Sequence, residues 1–466
     1  MLEIGDTNQL LLTFYGDDFT GSNDAMESLA RLGIRTILFV EPPGPEQLRR
    51  FEGVQAVGMA GVSRSLPTVE MDAELLPAFK TFRELNAPIC HYKVCSTFDS
   101  SPEIGSIGHA IDLGQELFAS PFVPLLVGVP QLWRYCVFGN LFARSGPESE
   151  VFRLDRHPTM RQHPTTPMTE SDLRLHLSRQ TEKKIGLLDI LQVAAPKGEV
   201  EERLEELREC SSEIVLFDVL YEEHLPTIGR LIWEQAELGD APLFVAGSSG
   251  VGYALTAHWQ AAGLLPHSEL PPPVEEVEQL VAVSGSCSPV TARQIRSAIE
   301  HGFAEIALEP ARLIDPEEAE GEIEAAVEDA LDLLGTGHSL ILHTCRGPGD
   351  PRIEATAQGL AAVKPDVSGP GRGSARILGE ALGRILRRIL EKTDIRRAAI
   401  AGGDTSGYAT RSLGIEALEV KAPFAPAMPV SRVHALGTSL DGLELVFKGG
   451  QTGKEDFFEG VRRGKP

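Results

Sequence analysis

The chain has 466 residues, which at ~100–200 residues per domain excludes one small domain and predicts two or three. With 42% apolar and 24% charged residues it is not a disordered chain, and 67 Asp plus Glu against 43 Lys plus Arg give a formal charge of −24. An acidic surface argues against nucleic acid or an anionic membrane as partner, although a local basic pocket can still hold an anionic substrate. Six scattered cysteines without a C-x-x-C pair exclude a zinc framework and a disulfide scaffold and suit a reducing compartment. No run of ~18 apolar residues occurs, and the polar Met1 to Leu10 does not read as a signal peptide, so the expected location is cytoplasmic.

In chain order, strand and helix signals alternate. Leu10 to Tyr15 is a short apolar run ending at Gly16-Asp17-Asp18, and a helix follows from about Ser22 to Leu32, stopped by Gly33. Strands are predicted at Arg35 to Val40, Val54 to Gly61 and Ile89 to Cys95, with a helix over Asp72 to Leu85. Pro121 to Val129 is strand-like. Leu132 to Thr169, rich in Arg, His and Pro, reads as strands with a long functional loop. Alternation resumes with strands at Lys184 to Ile190, Glu213 to Val219 and Leu243 to Ala246.

Leu264 to Val274 marks a boundary, because Pro271-Pro272-Pro273 makes a stiff connector. Beyond it, strands are predicted at Leu280 to Val283, Phe303 to Leu308, Ser339 to His343, Arg397 to Ala401 and Leu443 to Lys448. Ala375 to Leu390 has helical periodicity, the acidic run Pro316 to Asp332 reads as a solvated helix face, and Gly369, Gly371 and Gly373 read as a loop. The expected architecture is α/β: two doubly wound domains with largely parallel sheets and a cleft between them. Residues 1–268 form one domain and 275–466 the other.

Ligands of such sheets bind where loops leave the carboxyl ends of strands. The polar and Gly-rich clusters fall there in both halves. In the second half, Ser284-Gly285-Ser286-Cys287-Ser288 before Pro289, and Gly402-Gly403-Asp404-Thr405-Ser406-Gly407, have the small residues that let backbone N–H groups approach a phosphate at a helix start. Gly449-Gly450-Gln451-Thr452-Gly453 joins them. This last segment is not a Walker A loop, being one residue short and carrying Glu455 where a hydroxyl is required. The first strand of that half lacks G-x-G-x-x-G, but Glu309 stands near the distance of a ribose-binding carboxylate, so a nicotinamide enzyme remains an alternative.

In the first half, Asp17 and Asp18 follow a buried-looking strand, where two carboxylates need compensation. Asp18 or Thr20 can cap the next helix; alternatively an Asp grips a substrate hydroxyl or takes its proton. Lys93, Ser96, Thr97, Asp99 and Ser100 have the charge and hydroxyls to bind a small polyhydroxy acid. Arg156, His157, Arg161 and His163 are a basic cluster suited either to a surface loop or to a carboxylate. His343 reads equally as a core histidine or a ligand contact.

These segments together resemble the four-carbon acid sugar kinase family. Gly16-Asp17-Asp18-Phe19-Thr20-Gly21-Ser22 resembles the DDFTG segment that opens it. His91 to Ser100 and His163-Pro164-Thr165-Thr166-Pro167-Met168-Thr169 are similar to its 3-oxo-tetronate kinase-like branch. Val283 to Ser288, Ala401 to Gly407 and Lys448 to Gly453 resemble its nucleotide-binding segments. Two segments depart from the family pattern. Lys448-Gly449-Gly450-Gln451-Thr452-Gly453 stands where relatives often read K-S-G-N-F-G, and Ser100 to Ser106 lacks a common Gly-Asn pair.

The resemblance implies an ATP-dependent kinase of a sugar-acid hydroxyl, acting in carbohydrate catabolism. Substrates in the wider family include threonate, erythronate, their 3-oxo forms and 3-oxo-isoapionate. The first domain would hold the acid and the second ATP. By motif, ATP would be held by Ser286, Gly403 to Ser406 and Gly450, to which the loop reading adds Ser284, Ser288, Gly402 and Gly449. Backbone N–H groups and Mg²⁺ would hold the triphosphate, with Asp404 as one group that could face the metal. Asp17 or Asp18 would take the acceptor proton, while Lys93, Ser96, Thr97, Asp99, Arg161 and His163 bind the acid. The other readings are an NAD(P)-dependent dehydrogenase of a small hydroxy acid and a non-enzymatic sugar-acid-binding protein.

Overall fold

The computed structural model describes residues 9–146, 149–163, 165–265, 272–363 and 374–466, apart from the side chains of residues 362, 363 and 404. The chain forms two compact units, Met1–Glu269 and Leu270–Pro466. Pro164, Pro271 and the loop at Gly369, Gly371 and Gly373 lie outside the described residues. No helix among the described residues is long and apolar enough to cross a membrane.

The strands of the first unit are β1 (Leu12–Gly16), β2 (Thr36–Phe39), β3 (Ala56–Ala60), β4 (Ile89–Lys93), β5 (Val123–Leu126), β6 (Arg134–Val137), β7 (Asn140–Arg144), β8 (Val151–Arg153), β9 (Ile185–Leu188), β10 (Ile214–Phe217) and β11 (Leu243–Gly247). Eight of them run in the order β2-β3-β1-β4-β11-β5-β10-β9, every pair parallel. Helices cover a parallel sheet on both faces, so its central strands are continuous apolar runs. All five residues of β1, β4 and β11 are buried. Tyr15 and Tyr92 stack at 6.0 Å between ring centroids, with Phe79 edge-on to each at 6.2 Å. Strands β6, β7 and β8 form a separate antiparallel sheet.

The chain winds from β1 to β2 and β3 on one side and to the remaining parallel strands on the other. The winding reverses between β1 and β4, paired from Leu12↔Ile89 to Gly16↔Lys93. Such a reversal parts the loops above the strand ends and leaves a crevice. The helix above β1, Phe19–Ala30, begins three residues before the Ser22 expected from sequence, because the Asp18 carboxylate accepts the Gly21 N–H at 2.9 Å.

The second unit contains β12 (Val281–Ser284), β13 (Ala304–Ala307), β14 (Leu340–His343), β15 (Arg397–Ala401), β16 (Ala417–Ala425), β17 (Met428–His434) and β18 (Glu444–Lys448), in the order β13-β14-β12-β15-β18-β17-β16. The first five in that order are parallel, and β16 and β17 add an antiparallel hairpin. Here the winding reverses between β12 and β15, where Ser284 pairs with Ala401.

The acidic run is more than a solvated face. Within the helix Ala319–Gly335, Glu322 is buried, accepting the Glu309 N–H at 3.0 Å and pairing with Arg312 at 2.8 Å, and Glu320 meets Arg384 and Arg388. Arg312, Arg384 and Arg388 lie outside the run, so a window of acidic residues could not reveal them. His343 proves to be a satisfied core histidine, its Nε2 2.7 Å from Glu305 Oε1 and its Nδ1 3.3 Å from Arg352.

Candidate functional site

At the ends of β1 and β4 the sheet register brings distant segments together. Asp17 N donates to Lys93 O at 2.9 Å, and Asp17 O accepts from Arg64 N at 3.0 Å. The two adjacent aspartates have different fates. Asp18 caps its helix and pairs with Arg64, Oδ2 to Nη2, at 2.9 Å. Asp17 is 1% exposed, and its Oδ1 is buried without a hydrogen-bond partner. Burial pushes the Asp17 carboxyl up to about 7, and the Asp18 charge adds to this, while Arg64 and Lys93 pull the other way.

Lys93, also buried, reaches Asp24 Oδ2 at 3.8 Å. Lys93 and Asp18 both press on Gly21, where a Cβ would stand 2.5 Å from Lys93 Nζ and 2.4 Å from Asp18 Oδ1. Glycine in the DDFTG segment therefore lets an ammonium and a carboxylate close over the helix start. His91 on β4 donates from Nε2 to Gly247 O at 3.0 Å, and burial holds its ring neutral, with a pKa lowered to about 3.

The loop after β4 supplies the remaining polar groups. Thr97 Oγ1 lies 2.9 Å from Cys95 Sγ, and Ser96 is half-buried. Asp99 is buried, with Oδ1 unpartnered. Ser100 is occupied structurally, bonding Phe98 O and His176 Nε2 at 3.0 Å each. The Cys95 thiol, pushed up to about 11 by burial and by Asp99, also lies in the fields of Arg64, Asp18 and Lys93. Asp17, Asp18, Lys93, Thr97 and Asp99 thus form one polar cluster.

Among the described residues no hydrogen bond or ion pair ties Arg161 or His163 to it, although His157 on the same turn feels the charges of Arg134 and Asp99. Arg161 is exposed on the short turn Met160–Gln162, and His163 Nδ1 is engaged by Thr166 N and Oγ1 at 3.1 Å. His157 is buried and holds its own turn, its Nδ1 accepting from Thr159 N and Met160 N at 3.2 Å. Sequence reading missed Arg64, Asp24 and Arg134. Arg64 lies four residues beyond the end of β3, so the same strand-end rule that selected Asp17 could have found it.

In the second unit, the loops after β12, β15 and β18 are tied together. Gly285 N donates to Ala401 O and Gly402 N to Lys448 O, both at 3.0 Å. Ser284 Oγ accepts from Ser286 N at 3.3 Å, and Ser286 Oγ from Ser288 N at 3.4 Å. Ser288 caps the helix Pro289–Glu300, and its hydroxyl also donates to Gly450 O. Thr291 Oγ1 lies 3.0 Å from both Ser286 Oγ and Gly450 O, and accepts from Lys448 Nζ at 2.9 Å. A Cβ on Gly450 would come within 2.8 Å of Ser286 Oγ, so a side chain there would require the Ser286 hydroxyl to shift.

The helix Asp404–Leu413 has no side-chain cap at Gly403, leaving its start open to an anion. Thr405 is buried and Ser406 Oγ donates to Gly402 O at 2.6 Å. The side chain of Asp404 lies outside the described residues, and Gly449 is half-buried beside Gly450. Lys448 completes this loop set. It is buried, and desolvation lowers its pKa to about 7. The lysine opens the segment that resembles a nucleotide-binding motif, and that was the signal available for it.

These geometries agree with the comparisons. Residues 12–255 match the family model described as a sugar-binding N-terminal domain, and residues 281–458 that of a nucleotide-binding C-terminal domain. The fold is therefore that of a two-domain α/β protein whose halves match a sugar-binding and a nucleotide-binding family model. The chain belongs to the four-carbon acid sugar kinase family.

It is 46% identical to the 3-oxo-isoapionate kinase of Paraburkholderia graminis over 98% of this chain and 95% of that protein. It is 29% identical to the 3-oxo-tetronate kinase of Pseudomonas savastanoi pv. phaseolicola, with 96% of each covered. A crystal structure of a Salmonella typhimurium LT2 protein superposes with a TM-score of 0.75 at 25% identity, covering 98% of this chain and all of that one (100%).

Proposed function

We propose that this protein is an ATP-dependent kinase that phosphorylates a hydroxyl of a small sugar acid, four-carbon or branched, with 3-oxo-isoapionate the first candidate. The observation that carries the reading is Asp17. It is a buried carboxyl with an unpartnered oxygen, raised to about 7, at the reversal point of the sheet that matches a sugar-binding domain. The 46% identity to a 3-oxo-isoapionate kinase makes that acid the first to test. Residues 1–268 would bind the acid and 275–466 the nucleotide. The six thiols, none in a disulfide, fit a cytoplasmic setting.

Phosphoryl transfer asks a protein for positioning and charge neutralisation. In this reading Asp17 accepts the proton of the acceptor hydroxyl as its oxygen bonds to the γ-phosphorus and the bond to ADP breaks. Asp18 does not serve as the base, because its carboxylate is committed to Arg64 and the Gly21 N–H. Lys93 and Arg64 keep the cluster from excess negative charge, and Asp99 accepts a second substrate hydroxyl.

The open start of the helix Asp404–Leu413 and the loops Ser284–Ser288 and Gly449–Gly450 fit a triphosphate, with Lys448 as their buried cation. Among the described residues no group of three His, Cys, Asp or Glu could hold a metal. Mg²⁺ would arrive with the nucleotide, held by phosphate oxygens and water. When bound it neutralises charge on the transferring phosphoryl group.

The test is ADP release with Mg-ATP against a panel of four- and five-carbon sugar acids including 3-oxo-isoapionate and 3-oxo-tetronates. Turnover of one or more acids is expected. Thermal-shift titration should show protection by Mg-ATP and none by NAD(P). Protection by NAD(P), or no ADP release with any acid, would overturn the reading in favour of a dehydrogenase or a binding protein.

A further inference from the structure

Among the described residues, the polar groups left without partners near the ends of β1, β4 and β11 include Thr20 Oγ1 and two further kinds. Asp17 Oδ1 and Asp99 Oδ1 are buried acceptors that lack a donor. Arg134 Nε is a buried donor that lacks an acceptor, and Ser249 Oγ is a buried hydroxyl with no partner. A buried polar group without a partner is destabilising, so several in one region point to a ligand that satisfies them. Hydroxyls suit the first pair. A carboxylate, which only accepts, suits the second.

Resting on the kinase reading, we propose that Arg134, assisted by Ser249, binds the carboxylate of the acceptor sugar acid and so fixes which hydroxyl meets Asp17.

Several observations place Arg134 there. It opens β6, and its backbone pairs both ways with Val129, at 2.9 and 3.2 Å. The preceding Gly128 packs against the helix that follows β11, where a Cβ on Gly250 would come within 2.4 Å of Gly128 O. Ser249 adjoins that contact and is 1% exposed. The register Lys93↔Gly247 sets this turn beside the end of β4.

Along β6, side chains alternate between faces. Tyr135 and Val137 line an open hollow of about 790 Å³ together with Phe142, Leu220 and Tyr221. Arg134 takes the opposite face from these. Its guanidinium lies in the fields of Cys95, Asp99 and Asp24, members or neighbours of the polar cluster, yet its buried Nε has no acceptor among the described residues. Its one side-chain bond is Nη1 to Leu132 O. Arg161, exposed, offers no such desolvated partner. A guanidinium held beside acids with its Nε unpartnered is poised for an incoming carboxylate, which it can meet with two parallel hydrogen bonds.

The experiment compares wild type with Arg134→Gln, Arg134→Lys and Ser249→Ala, using 3-oxo-isoapionate or whichever acid of the panel wild type turns over. Initial rates at saturating Mg-ATP are joined by calorimetric titration of the acid alone. Arg134→Gln should raise KM and Kd for the acid by roughly 100-fold, with kcat within about threefold and ATP affinity unchanged. Arg134→Lys should recover about tenfold of that loss, and Ser249→Ala should raise KM by about fivefold.

KM and Kd within twofold of wild type in Arg134→Gln overturn the proposal, as does a fall in kcat at constant KM. If Arg134→Gln fails to fold, unchanged KM in both Arg134→Lys and Ser249→Ala overturns it. Wild type that binds the acid without releasing ADP defeats the kinase reading alone, and the calorimetric affinities still decide the role of Arg134. Wild type that binds no acid defeats both.

Discussion

Asp18 and Arg64 are bound carboxylate to guanidinium at 2.9 Å, while Asp17, one residue earlier, keeps a buried carboxyl oxygen without a partner among the described residues. The two acids should therefore respond differently to the same change. Asp17→Asn removes the base and should lower kcat by roughly two to four orders of magnitude with little effect on acid affinity. Asp18→Asn retains an acceptor for the Gly21 N–H but breaks the Arg64 pair. It should cost roughly 1–3 kcal/mol of stability, read by denaturant unfolding, and less than tenfold in kcat. Equal kinetic losses in the two variants would remove the distinction drawn between them.

The raised Asp17 carboxyl also links to stability. Its ordinary pKa of 3.8 is raised to about 7 in the folded protein, so the folded state binds the proton more tightly than the unfolded state. That contribution is fully present below the unfolded value and is lost as pH rises through about 7. Asp17→Asn carries no such penalty. Its melting temperature should match wild type near pH 4, exceed it progressively up to pH 7, and hold a constant advantage above that. A constant offset at every pH would mean that Asp17 titrates normally in the fold. In activity the sign reverses: kcat/KM of wild type should fall as pH drops below about 7, because the base becomes protonated.

At the nucleotide loops, Gly450→Val places a side chain where even a Cβ comes within 2.8 Å of Ser286 Oγ. The Ser286 hydroxyl must then shift, and the backbone donors between the β12 and β18 loops lose their spacing. ATP affinity should fall at least tenfold in calorimetry, while affinity for the sugar acid changes less than twofold. Loss of both affinities together would mark Gly450 as a general folding position.

Much of this arrangement was legible in the sequence. Alternating apolar runs gave the parallel strands of both units, because a strand buried on both faces needs continuous apolar residues, as in Leu12–Gly16 and Val281–Ser284. Strand ends then gave Asp17, Lys93, Ser284 and Gly402. The hairpin Ala417–Ala425 with Met428–His434 went unread, since its half-buried alternation and β-bulges weaken any simple period. Arg134 was hidden for another reason. It sits on a short antiparallel strand distant in sequence from Asp17, and the packing of Gly128 against Gly250 and the Cys136–Val219 bridge carry it to the end of the parallel sheet. Arg161 drew attention instead because it lies in a run of basic residues, which reports local composition and not direction.

Lys448 carries the last prediction. Its ammonium is buried at the end of β18 with Thr291 Oγ1 as its acceptor at 2.9 Å, and desolvation lowers its pKa to about 7. At pH 8 the free protein therefore holds this lysine mostly neutral. A triphosphate bound on the loops that meet at Gly450 would surround it with negative charge and favour the ammonium form. ATP binding at pH 8 should thus take up close to one proton. The uptake should fall toward zero near pH 6, where Lys448 is already charged. Calorimetric titration of ATP in buffers of differing ionisation enthalpy measures that number directly. Lys448→Met, which keeps the length and apolar stem, should abolish the uptake and weaken ATP binding by roughly 10- to 100-fold. Unchanged proton uptake in the Met variant would place the titrating group elsewhere and leave Lys448 as a tether for Thr291.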